Sequence, residues 1–202
     1  MTPAEELAEF TAKLYRRGWM EGTAGNISLR LPDGAALITA SGVSKGELTA
    51  ADTVRVSIAD SRPVEPGRRQ PSAETTIHTA LYRRFAGCQA VVHAHPPYAT
   101  AVAAIATARG ENSVTFSGLE IIKGLRGGDP ASVTVPVFPN HAEVPRIAEE
   151  VEARVAMRTP PVFLIGAHGA TSWGPSLRVA RDRMECLETL CRLRLLIDRA
   201  AS

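Results

Sequence analysis

Apolar residues recur along this chain in two rhythms, one near 3.6 residues and one near two, and the switches between them predict its elements. Thr2-Pro3-Ala4-Glu5 reads as a capping box, and Leu7, Phe10, Leu14 and Tyr15 share one helical face, so a helix should run from there to about Arg17, where Gly18 stops it. The period then shortens to two. Asn26-Ile27-Ser28-Leu29-Arg30 alternates as a strand, 36–39 pairs back to it across Pro32-Asp33-Gly34, and 54–58 makes a third. Residues 60–70, rich in Pro, Arg and Gly, read as a surface loop. A helix with Ser72 as N-cap should reach about Arg84. The strand Ala90-Val91-Val92-His93-Ala94-His95 follows, then a helix of Ala, Val and Ile over 98–108, whose apolar circumference predicts burial against the sheet or a second subunit. Further on come a strand over 133–138 and an amphipathic, acid-rich surface helix over 142–157. Last are a wholly apolar strand over 162–165, a loop closed by Trp173-Gly174, and a long helix capped by Ser176 with its stripe at Leu177, Ala180, Met184, Leu187, Leu190 and Leu195.

Composition narrows the picture without redirecting it. The 202 residues suffice for one substantial core, and one domain is the simplest count. A net charge of +2 gives no polyelectrolyte argument for nucleic acid or an anionic membrane. No segment approaches the ~18 apolar residues of a membrane span, and the N-terminus lacks a signal-peptide pattern, so a cytoplasmic location is expected. Cys88, Cys186 and Cys191 form no metal-binding spacing and are expected to be reduced packing residues.

Candidate chemistry centres on the histidine strand. Side chains two apart on a strand share a face, so His93 and His95 should project together as neutral imidazole ligands for a metal. His168, at the end of an apolar strand between Gly166 and Gly169, is the natural third ligand, the glycines permitting unusual backbone angles. Two carboxylates compete for an acid-base role. Glu74 opens a helix, where the helix dipole alone would also explain it, with His78 one turn on as a partner able to orient it. Glu120 stands among apolar residues, where burial would raise its proton affinity toward neutral pH. Two small-residue loops, Gly22-Thr23-Ala24-Gly25-Asn26 with polar groups at Thr23 and Asn26, and Ser41-Gly42-Val43-Ser44-Lys45-Gly46, lie at the ends of neighbouring strands and could converge on one oxyanion, with Ser41 and Lys45 as donors.

These blocks, together with Pro71-Ser72-Ala73-Glu74 and Ala167-His168-Gly169, occur in the order in which they stand in the class II aldolase/adducin family, which the chain resembles over nearly its whole length. The resemblance implies an α/β fold with three α/β/α layers around a mainly antiparallel sheet, assembled as a homotetramer with its sites between subunits. It also implies a Zn2+ ion on His93, His95 and His168, a small sugar-phosphate substrate, and a phosphate end built from Asn26, Ser41, Gly42, Lys45 and Ser72. Ala73 departs from the serine that many of the family's aldolases carry. Glu74 sits where the aldolases place their metal-ligand and base carboxylate, and Glu120 where the dehydratases place their acid-base residue. Ser41-Gly42-Val43-Ser44-Lys45-Gly46-Glu47-Leu48-Thr49, Glu120-Ile121-Ile122-Lys123-Gly124 and the run from His168 to Gly174 look most like the dehydratase branch. Phe116 or Trp173 is then expected to face the apolar end of the substrate. Aldol cleavage or epimerisation is the alternative, but such aldolases often use a tyrosine near the C-terminus, and Tyr98 is the last tyrosine here. A non-catalytic scaffold, as in adducin head domains, fits less well because those domains lack the metal histidines.

Overall fold

The computed structural model describes residues 1–125 and 131–201. Its first helix, α1 (Pro3–Tyr15), opens with the predicted capping box: Thr2 Oγ1 accepts from Glu5 N–H while Glu5 reaches back to the Thr2 amide. Leu7, Phe10 and Leu14 are buried, but Tyr15 is not. Residue 15 lies past the buried stripe, and its ring covers Gly46, where any Cβ would collide with it.

The strands β1 (Asn26–Arg30), β2 (Ala35–Thr39), β3 (Thr53–Ser57), β4 (Ala90–Ala94), β5 (Ser113–Ser117), β6 (Ser132–Phe138), β7 (Val162–Ile165) and β8 (Gly169–Gly174) form one sheet among the described residues. Their order is β3-β2-β1-β4-β8-β7-β6-β5, and every pairing is antiparallel except β6 with β7. The expected layers are present. The helix α1 packs on one face together with α3 (Pro97–Ala108) and α5 (Leu177–Ala200), burying Phe10, Val102, Met184 and Leu187. On the other face α2 (Thr75–Arg84) and α4 (Val144–Arg154) bury Ile77, Leu81, Ile147 and Val151. Each such side chain withdrawn from water contributes about 1.5–3 kcal/mol. No described helix is long and apolar enough to cross a membrane, and the three cysteines are free.

The strand β5 is not expected from the sequence, several element ends shift by a residue or two, and three differences bear on the site and its surroundings. Residues 169–174, expected as loop, form β8 in the middle of the sheet, buried throughout; small residues and terminal glycines hide a strand whose two faces are both covered. Ser72 does not cap α2. It closes the preceding turn, its carbonyl accepting from Thr75 N–H, and Glu74 occupies the cap position. The acidic helix is shorter than 142–157, beginning at Val144 with Pro145 in its first turn.

Glu188 of α5 fixes the start of α3. Its buried carboxylate accepts from the Tyr98 and Ala99 amides at 3.1 and 2.7 Å, satisfying two donors that the helix itself leaves open. Glu188→Ala is expected to lower the unfolding free energy by about 2–4 kcal/mol, with Glu188→Gln recovering part of it, as read from urea denaturation midpoints.

Candidate active site

Strand polarity gathers the candidate residues. β4, β6 and β7 run in one direction, so the segments after them (His95, Asn140 and His168) emerge at the same end of the sheet. β1 is antiparallel to β4 and pairs Asn26 with His93, which brings the 22–25 loop to that end. β2, antiparallel to β1, delivers Ser41 there too.

The three imidazoles meet as expected. One ligand atom from each of His93, His95 and His168 lies within 4.8 Å of the others. The Nε2 atoms of His93 and His95 are 3.1 Å apart, close to the roughly 3.3 Å edge of a tetrahedron with zinc-type bonds of about 2.05 Å. Glu74 supplies the fourth direction: Oε2 is 3.3 Å from His93 Nε2, and Oε1 is 3.3 Å from His168 Nε2. Asn26 Nδ2 donates to Glu74 Oε2 at 2.5 Å, so the asparagine steadies the carboxylate. Asn26 Oδ1 and Glu74 Oε1 are buried atoms without a hydrogen-bond partner, as a vertex built for a ligand would leave them. Three imidazole nitrogens with an adjacent carboxylate are a donor set that fits a divalent metal.

The glycines beside His168 provide room more than unusual angles. Ala167 holds the left-handed conformation, at φ 50°. A Cβ on Gly166 would overlap Thr107, and one on Gly169 would overlap the Ala94 carbonyl and the His95 ring. Gly25 combines both demands, at φ 74° with the His93 carbonyl 3.0 Å from where a Cβ would stand.

Burial, reinforced by the charges His168 and His95 would carry, holds His93 well below the usual imidazole range; burial and then His168 lower His95. Neutral rings are the form that binds metal. His78 does not orient Glu74. Its Nδ1 meets Ser28 Oγ at 2.7 Å, Ser28 Oγ meets Tyr82 Oη at 2.7 Å, and burial pushes the ring down to about 3. The unfolded chain therefore binds protons below the ordinary value of 6.5 that the folded chain refuses. Stability present above pH 6.5 is lost as pH falls toward 3, by up to about 1.4 kcal/mol per pH unit for each such histidine. For metal-free protein, urea midpoints at pH 7.5, 6 and 5 should drop progressively, more steeply below 6.

The two loops meet through Lys45, whose ammonium, expected as a donor to an oxyanion, here bonds backbone carbonyls. Lys45 Nζ donates to the Thr23 carbonyl at 3.0 Å and to the Val43 carbonyl at 2.9 Å, and Lys45 N–H bonds Gly22 O. The buried Lys45 thus ties the loops to each other, and burial lowers its pKa. Ser41 N–H bonds Gln70 O and Ala40 bridges Pro71, setting Ser41 and Gly42 beside Ser72. Ser72 Oγ accepts from Glu74 N–H at 3.2 Å. Asn26 stands at the metal end of this edge, on Glu74, not with the serines.

Glu120 is elsewhere. β5 runs opposite to β4, so the short 3-10 turn Glu120–Leu125 follows it at the far end of the sheet. At about 3.3 Å per strand residue and about 4.8 Å between neighbouring strands, this puts Glu120 on the order of 20 Å or more from the histidines of its own chain. The expected burial is overturned: its side chain is 84% exposed and pairs with Lys123 at 2.6 Å. Phe116 and Trp173 are core residues, Trp173 stacked on Phe85, and neither reaches the site. Sequence reasoning missed two partners of the histidines, since each depends on strand pairing: Thr171 Oγ1 lies 3.0 Å from His93 Nδ1, and Asn140 Oδ1 lies 3.3 Å from His168 Nδ1.

Residues 5–195 match the family described as Class II Aldolase and Adducin N-terminal domain. The chain is 53% identical over 194 residues, 95% of its length, to a probable bifunctional methylthioribose-1-phosphate isomerase/methylthioribulose-1-phosphate dehydratase of Nocardia farcinica, and spans 35% of that longer protein. It is 40% identical to a methylthioribulose-1-phosphate dehydratase of Microcystis aeruginosa, covering 94% of this chain and 93% of the relative. Among solved structures, the putative aldolase/epimerase/decarboxylase YgbL from Klebsiella pneumoniae superposes with a TM-score of 0.80 at 32% identity, covering 96% of this chain and 89% of that one.

Proposed function

This chain belongs to the class II aldolase and adducin family, and from that premise we propose that it dehydrates 5-methylthioribulose 1-phosphate to 2,3-diketo-5-methylthiopentyl 1-phosphate, a lyase step of methionine salvage. The observation that carries the reading is the meeting of His93, His95 and His168 with Glu74 beside a cradle of small polar loops. The identity to full-length dehydratases supports the choice of substrate. Zn2+, one per chain, is the ion we assign to the three imidazoles; bound there it supplies Lewis-acid polarisation of the ketose carbonyl.

The chain's own groups do the rest. Ser41, Gly42 and Ser72, with Lys45 holding the loops in place, receive the phosphate and fix which carbon faces the imidazoles. A carboxylate then removes the C3 proton and returns a proton to the C4 hydroxyl as it leaves as water; the resulting enol tautomerises to the 2,3-diketone. Glu120 is that carboxylate, and because it lies at the far end of its own sheet, a second copy presents it. A homotetramer with sites between subunits meets this requirement. Exposed Ile105 on α3, with Leu196 and Ile197 on α5, supports such contacts. Glu74, held by Asn26, remains beside the metal position as ligand or local base. Free cysteines accord with a cytoplasmic setting.

Aldol cleavage or epimerisation of another sugar phosphate is the second reading, favoured by the likeness to YgbL. Zinc-loaded protein should be incubated separately with 5-methylthioribulose 1-phosphate and fuculose 1-phosphate, and the products read by mass spectrometry. Loss of one water from the first with no aldehyde from the second is the expected result. Aldehyde from the second, with the first unchanged, would establish the aldolase instead.

A further inference from the structure

We propose that Asn140 and Thr171 are positioning residues that preset the tautomers of His168 and His93, so that the Nε2 lone pairs face one point before any metal arrives. The inference rests on the metal-site reading above. Asn140, just past β6, sets Oδ1 3.3 Å from His168 Nδ1, and Thr171, the residue paired with His93 across the β4–β8 ladder, sets Oγ1 3.0 Å from His93 Nδ1.

The chemistry requires one tautomer. A neutral imidazole carries one N–H and one lone pair, so an acceptor at Nδ1 holds the proton there and frees Nε2. On His93 that acceptor is Thr171 Oγ1, 3.0 Å from Nδ1. Thr171 is fully buried, so water cannot compete for that contact. The Asn140 amide has its orientation assigned by the same logic: with the oxygen toward the His168 N–H, the NH2 group is turned elsewhere. The alternative tautomers would point N–H groups at one another, since the Nε2 atoms of His93 and His95 are only 3.1 Å apart. Each anchored ring therefore loses a choice it would otherwise settle on binding, and such partners typically affect metal affinity 10–100-fold.

The experiment measures zinc dissociation constants by chelator competition for wild type, Asn140→Ala, Asn140→Asp, Thr171→Val and Thr171→Ser. Asn140 is exposed, so its variants test the idea without burdening the core. Asn140→Ala is expected to weaken zinc about tenfold or more, and Asn140→Asp, which keeps the acceptor, to stay near or below the wild-type constant. Thr171→Val should weaken it and Thr171→Ser restore it, while Tm of the metal-free Asn140 variants stays unchanged. Nitrogen-15 spectra of histidine-labelled, metal-free wild type should show His93 and His168 as Nδ1–H tautomers, a readout that needs no variant to fold. Asn140→Ala and Thr171→Val both within twofold of wild type, or Nε2–H tautomers in the spectra, would overturn the proposal. A wild type that binds no zinc at all would instead overturn the metal-site reading.

Discussion

Glu120→Gln is expected to lower kcat/KM for 5-methylthioribulose 1-phosphate by about 10²–10⁴-fold while zinc content stays at one per chain, because the variant keeps the shape of the side chain and loses its capacity to take a proton. The placement of Glu120 makes the test sharper. It stands at the opposite end of the sheet from its own histidines, 84% exposed. If a neighbouring copy supplies it, an inactive Glu120→Gln chain and an inactive His168→Ala chain should rescue each other when co-expressed. Random mixing leaves about a quarter of sites with both groups intact, so activity near that fraction of wild type is expected. Mixed oligomers that stay as dead as either parent would show that Glu120 acts within its own chain or not at all.

The second large effect concerns the metal. His168→Ala should reduce zinc retained after gel filtration to well below one per chain and abolish turnover, since it removes one of the three imidazoles that meet at the metal position and leaves a carboxylate already engaged by Asn26. Metal-free wild type should recover activity on adding zinc, whereas His168→Ala should not. Retention of stoichiometric, catalytically competent metal by His168→Ala would transfer the third ligand to Glu74, whose Oε1 and Oε2 already lie 3.3 Å from His168 and His93.

Much of this arrangement is legible in the sequence because its signals are local. The capping box at Thr2 and Glu5, the stripe of α5 and the spacing of His93 and His95 each depend on residues within a turn or two of each other. What escaped depends on who sits beside whom. The strand β8 carries no alternation to read, because both of its faces are covered. Thr171 matters only once β4 and β8 are paired in register, and Asn140 only once β6 and β7 run parallel. Glu120 shows the opposite hazard: apolar neighbours at Ile121 and Ile122 suggested burial, yet in a 3-10 turn adjacent residues point different ways, and Ile122 goes inward while the glutamate goes out.

The pairing of β8 with β4 has a consequence for how the protein matures. His168 sits in the turn between β7 and β8, and β8 lies against the strand that carries His93, so the spacing of the two rings is dictated by backbone ladders that must zip up first. The ion is then a late guest in a finished frame, not a clasp that pulls a loose chain together. Stripping it with a chelator should silence the protein and leave its far-ultraviolet circular dichroism where it was.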